Sequence, residues 1–120
     1  MEENKKFAGN FSIVSDVIVR DFGAETAIVL GKMRSMYDHY KKTNSLNKYG
    51  EFFFKADSIE KIWGFKRYKR DAILDKLRNA GFITITRRGE TAMNYFKIHE
   101  EIIEEYIKNA EEKDTLAEQS

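Results

Sequence analysis

The sequence predicts a mainly helical α+β domain: a three-helix core, an attached β-hairpin and an extra C-terminal helix. Three observations predict it. Apolar residues recur at spacings of three and four over residues 24–40 and again over residues 66–80, the period of an amphipathic helix. A strictly alternating run, Phe82-Ile83-Thr84-Ile85-Thr86, follows the second of these and is answered by residues 93–98 across a turn at Arg88-Gly89-Glu90. Gly64 and Gly81 punctuate the order, one between two short helical patterns and one between helix and strand.

Residues 1–11 carry no clear period and read as a flexible arm. Ser15 is placed to cap a short helix through Val17, Ile18 and Val19 that ends near Phe22-Gly23, although this β-branched run also suits a strand. In the next helix Ala27, Leu30, Met33, Met36, Tyr37 and Tyr40 share one broad face and are read as core. Glu25 suits the positive end of that helix, and Lys41 and Lys42 suit the negative end. Residues 43–50 have loop composition. Glu51-Phe52-Phe53-Phe54-Lys55 reads as a short aromatic strand whose three Phe cannot all face one side, so that one of them must look outward or lie under the loop.

Asp57 and Ser58 are both good N-caps for a helix that buries Ile59, Ile62 and Trp63. Gly64 permits the left-handed residue that a sharp inter-helix turn needs, with Phe65 packed into the angle. The second helix of the pair buries Ile73, Leu74, Leu77 and Ala80, and Gly81 caps its end. In the C-terminal helix, expected over residues 99–113, Ile102, Ile103, Tyr106 and Ile107 share a face opposite a carboxylate-rich one. That face must be buried, either on its own domain or on the same helix of a second copy; the reading favours a homodimer built on those four residues. Residues 114–120 read as a disordered tail.

The chain has 120 residues, 42% of them apolar and 34% charged, enough for one packed domain and too few for two. It has no cysteine, which removes disulfides and thiolate metal sites, and no apolar run long enough to span a membrane. The polar N-terminus lacks the apolar stretch of a signal peptide, so a cytoplasmic location is expected. His39 and His99 fall on separate elements without ligand spacing, so no metal is expected and no cofactor is called for. Asp71 and Asp75 stand at i and i+4 among Lys and Arg, as ion-pair partners rather than a general acid and base, and catalysis is not expected.

Charge is what suggests a function. The formal net charge of +1 hides a basic segment 55–97, with eleven Lys or Arg against five Asp or Glu, and an acidic segment 98–120, with two against eight. Such asymmetry points to a polyanionic partner for the basic part. Lys66, Arg67, Lys69 and Arg70 load the N-terminal turns of their helix, the end at which cations oppose the macrodipole. A helix serving only the core more often carries acids there; a recognition helix uses that end to meet base edges and phosphates. Arg87 and Arg88 at the hairpin offer further contacts, with Lys55 and Lys61 in support.

Helix, turn, helix, strand, basic turn, strand is the order of a winged helix-turn-helix. The run WGFKRYKRDAILDKLRNAGFITITRRG resembles the winged helix-turn-helix DNA-binding domains of bacteria, most of all small replication-initiator and replisome-organiser domains from phages and plasmids of Gram-positive bacteria. The resemblance covers about residues 12–98 and rests on Gly64, the basic stretch from Lys66 to Arg70, Leu77 and Gly81-Phe82-Ile83. It implies base-reading residues at Lys66, Arg67, Lys69 and Arg70, and wing contacts at Arg87 and Arg88. Two departures stand out: Lys66 replaces the usual small cap, and bulky Tyr68 sits where smaller residues are common, either stacked in the core or set against a sugar or base methyl.

The expectation is a sequence-specific binder of double-stranded DNA: a plasmid or phage accessory factor, not a complete initiator, acting at an origin in replication or conjugation, or as a transcription regulator. The rival is a winged helix that docks other replication, transfer or transcription proteins, with the acidic C-terminal helix as its working surface.

Overall fold

The computed structural model describes residues 13–91 and 93–119. The expected arm at residues 1–11 lies outside them. Eight elements follow one another: α1 (Asp16–Phe22), α2 (Ala24–Lys42), β1 (Phe52–Phe53), α3 (Asp57–Trp63), α4 (Arg67–Asn79), β2 (Ile83–Arg88), β3 (Met93–Ile98) and α5 (Glu100–Gln119). Their order and pairing are those of a winged helix: α2, α3 and α4 form the helical core, β2 and β3 the wing, and α1 and α5 are additions.

Asp16–Phe22 is helix, with Ser15 as its cap. The Ser15 hydroxyl accepts from the Ile18 N–H at 3.4 Å, and Gly23, at φ +96°, separates α1 from α2. Val17 and Ile18 are buried, so one helical face satisfies the β-branched run. The expected stripe of α2 faces the core throughout: Ala27, Leu30 and Met33 are buried, and Met36, Tyr37 and Tyr40 pack beside them.

The sheet is antiparallel in the order β1-β3-β2. Phe52 pairs with Phe96 and Phe53 with Tyr95; on the other side Ile83 pairs with Ile98 and Arg88 with Met93. Alternation then sorts the faces. Phe52, Phe54, Phe96, Ile98 and Ile83 point into the core, and Phe53 is the phenylalanine left to look outward. Their core neighbours are Ile59 from α3, Ile73, Leu74 and Leu77 from α4, Phe82, and Ile103 from α5. Each such fully buried side chain contributes on the order of 1.5–3 kcal/mol of transfer free energy.

Four expectations are corrected. Asp57 and Ser58 do not cap α3: Ala56 holds the cap position without a side-chain bond, and the carbonyls of Lys55 and Ala56 take the first N–H groups. Ile62 is 47% exposed, because Ile59 and Trp63 centre the contact strip of a two-turn helix and Ile62 lies roughly 60° around from Ile59. Arg87 and Arg88 belong to β2, and the turn that follows occupies residues 89–91, entered through Gly89 at φ +81°. Finally α5 continues to Gln119 instead of ending at 113. Its last residues are good helix formers, so residues 114–119, read as tail, are helix, and the Arg20 guanidinium meets the Asp114 carboxylate at 2.8 Å.

The apolar face of α5 is largely used within the chain. Ile103 is fully buried, Ile107 packs on the core, and the Tyr106 ring lies against Phe22 and Phe82 at 5.4 and 5.5 Å. The Tyr106 hydroxyl donates to Asp21 at 2.7 Å, and Arg34 binds Glu100 through two bonds at the start of the helix. Of the four residues expected to meet a second copy, Ile102 alone remains substantially exposed. No helix among the described residues is long and apolar enough to cross a membrane.

Candidate nucleic-acid interface

The turn between α3 and α4 is made by Gly64, in the left-handed region at φ +77°, whose N–H donates to the Glu60 carbonyl at 2.7 Å. Any L residue there would carry backbone strain. Phe65 stacks on Trp63 at 6.0 Å and 20°, which fixes the angle at which α4 departs. Lys66 then takes the N-cap position in extended backbone, with no side-chain bond to the helix. The first turn of α4 contains no acid.

The four cations expected here divide into two kinds. Lys66 and Arg67 stand in solvent; the Arg67 side chain is 86% exposed and reaches Asp71 only at 3.8 Å. Lys69 is half-exposed, 2.7 Å from the Glu25 carboxylate and 5.7 Å from the Phe65 ring, so α2 holds it. Arg70 is turned inward. Its guanidinium bonds Asp57 at 2.8 Å and Asp71 at 3.3 Å, with 12% of the side chain exposed. It ties the start of α3 to α4. The Asp57 carboxylate, freed from capping, is thus the partner that keeps Arg70 from the solvent.

Tyr68 resolves the choice left by the sequence. It is 91% exposed and so is not a core residue. An aromatic ring held in water beside Arg67 costs free energy that its own fold does not return. It stands at the edge of a cleft of about 220 Å³ with Gly23, Lys69 and Lys76, where the Lys76 ammonium donates to the Phe22 carbonyl. The placement of Tyr68 could not be read from the helical period, because the residue lies at the very start of the helix, before the apolar stripe sets in.

The wing divides in the same way. Arg87 is exposed. Arg88 makes paired bonds to the Glu51 carboxylate at 2.7 and 2.9 Å, and its guanidinium lies 3.8 Å from the centre of the Tyr49 ring. Asn47 donates to the same carboxylate at 3.0 Å, and its own carbonyl accepts from the backbone N–H groups of Tyr49 and Glu51. Glu51 is 4% exposed; the Arg88 bonds hold its carboxyl below the usual carboxylate range, against the opposing effect of burial. Arg88 therefore locks the loop before β1 to the wing. Lys55 and Lys61 are exposed, at the approach to α3 and on α3 itself.

A larger groove, about 810 Å³, lies between α2 and the start of α5 and is lined by Arg34, Asp38, Lys41 and Glu100. It contains none of the cations expected to bind, and the Arg34–Glu100 pair satisfies its central charges. His39 lies in α2 and His99 between β3 and α5; no group of three or more His, Cys, Asp or Glu among the described residues is placed to hold a metal ion.

Neither a protein-family model nor a curated protein matches the chain. Two solved structures resemble it in fold. One is described as the N-terminal domain of a DNA binding protein, with a TM-score of 0.61 and 20% identity over 82% of this chain and 79% of that one. The other is described as a Rep-DNA complex, with a TM-score of 0.60 and the same identity and coverage. At this identity the likeness is one of architecture.

Proposed function

We propose that this chain binds double-stranded DNA in a sequence-specific way, as an accessory factor of a plasmid or phage that acts at an origin in replication or conjugation, or as a regulator of transcription. It works by binding, without catalysis. The observation that carries the reading is the start of α4, where Lys66, Arg67 and Tyr68 stand in solvent at a helix end that has no acid and no side-chain cap. That arrangement is unfavourable for the helix and favourable for a polyanion with readable base edges. Lys69 supports it from the next position, Arg87 extends it onto the wing, and Lys55 and Lys61 add charge. Of the two architectural neighbours, one is described as a domain of a DNA binding protein and the other as a complex with DNA.

The test is selection from a library of random duplexes at near-physiological salt. A motif is expected, and its symmetry reports how many copies bind: an inverted repeat means a two-fold pair, a single short site one copy. Arg67→Ala should weaken binding with the melting temperature unchanged. Arg70→Ala should lower the melting temperature first, because it removes the tie between α3 and α4. Weak binding with no motif would sink the proposal and turn attention to protein partners of α5.

A further inference from the structure

The outer face of the sheet carries a second pattern, from which the duplex reading uses Lys55 alone. Phe53 and Tyr95 face outward from paired positions on β1 and β3, with ring centres 5.9 Å apart. Arg88 crosses the same face to reach Glu51, with its guanidinium against the Tyr49 ring. Tyr49 is 46% exposed, Phe53 and Tyr95 are half-buried with their rings tilted 58° to one another, and together with Arg88 they give this face two pairs of π surfaces. Lys97 lies on this face as well; its chain passes 3.8 Å from where a Cβ on Gly50 would stand. Lys55 is exposed just beyond β1.

No residue of β1, β2 or β3 is acidic, and the Glu51 carboxylate beside β1 is bonded by Arg88 and Asn47. Lys55 and Lys97 remain as exposed cations around the rings. Stacked aromatic and guanidinium planes bordered by cations are the chemistry that takes up unpaired bases and their backbone. A duplex offers no base faces to such a strip, and an acidic protein surface has no use for flat rings in a row.

We infer that the outer face of the sheet, from Tyr49 through Arg88 and Tyr95 to Phe53, is a docking surface for single-stranded DNA, with bases stacked on the rings and phosphates held by Lys55 and Lys97. The choice of DNA rests on the duplex reading above, since an opened stretch of bound duplex supplies such a strand. The surface itself is separate from the start of α4, so the two sites fail separately.

The probe is an oligodeoxythymidine of about 10 nucleotides, within the usual range of about 4–16 per binding fold. Its binding is followed by fluorescence anisotropy and by amide chemical shifts. Shifts are expected at residues 49–55 and 93–97. Tyr49→Ala should weaken oligomer binding by on the order of tenfold, the loss typical of one stacking partner. Tyr49→Phe should retain binding, which separates loss of a ring from a loosened fold. Lys97→Glu should weaken it and steepen no other transition. Arg67→Ala should leave oligomer binding intact while weakening duplex binding. The inference is overturned if an abasic strand of the same length binds equally well, if an oligouridine binds and the thymidine oligomer does not, or if the shifts fall on the start of α4 alone.

Discussion

Glu51 shows how one residue can set the stability of the wing. Its carboxylate is buried, doubly bonded by Arg88 and bonded again by Asn47, and its carboxyl is held below the ordinary range. The sign of the pH dependence follows. A group with a lowered folded value contributes stability that is fully present above its unfolded value, about 4.3 for Glu, and that is lost as pH falls through the folded one. Glu51→Gln keeps the shape and removes the charge, so Arg88 loses two charge-assisted bonds. We expect its melting temperature to be lower by roughly 5 °C at neutral pH, with the gap to the parent protein closing as pH falls below about 4. Paired thermal melts across that range check it; a gap independent of pH would show that the charge is not what matters. A lone Glu before three Phe gave no hint of this in the sequence, because its partner lies 37 residues away and reads as one of two wing cations.

At the scale of elements, α4 balances folding against binding. Its N-cap position is filled by Lys66, which offers no side-chain acceptor, and its first turn lacks the acids that would suit the helix dipole. Lys66→Asp supplies both an acceptor and the right charge, and should stabilise the fold by about 1 kcal/mol. The same change should weaken duplex binding and reduce the slope of log affinity against log salt by about 0.9, the effect of one phosphate contact. A stabilised variant that binds as before would place the DNA surface elsewhere. The elements that were legible in the sequence share a feature: their signal is local. The stripe of α2, the Gly64 turn and the alternation of Phe82 to Thr86 each declare themselves within a few residues. What was not legible depends on distant partners. Arg70 and Arg67 look alike in the sequence, yet Asp57 draws one inward and leaves the other free. Ile103 and Tyr106 suit a dimer face as well as a core until Tyr106 is seen against Phe22, Phe82 and Asp21 and Ile103 within the core.

For the whole molecule the question is what an acidic helix does beside a basic domain. The far end of α5 is tied to α1 by the Arg20–Asp114 pair, and Ile103, Tyr106 and Ile107 seat its first half on the core. Removing residues 111–120 therefore spares the apolar seat and deletes the exposed Arg20–Asp114 pair, of a kind that contributes little to stability. It also removes four carboxylates and one Lys, moving the formal net charge from +1 to +4. If those carboxylates act through the overall field, the shortened chain should bind duplex DNA several-fold more tightly at low salt, chiefly through faster association. The advantage should fade as salt rises and the Debye length shortens from about 30 Å at 0.01 M to about 8 Å at 0.15 M. A tail that covered the DNA surface by direct contact would behave differently: its removal would raise affinity by a factor that survives at high salt. Stopped-flow association and equilibrium titration at the two salt concentrations separate the cases. The Arg20 anchor favours the first, because it fixes the tail to α1 by a contact that involves none of the cations at the start of α4.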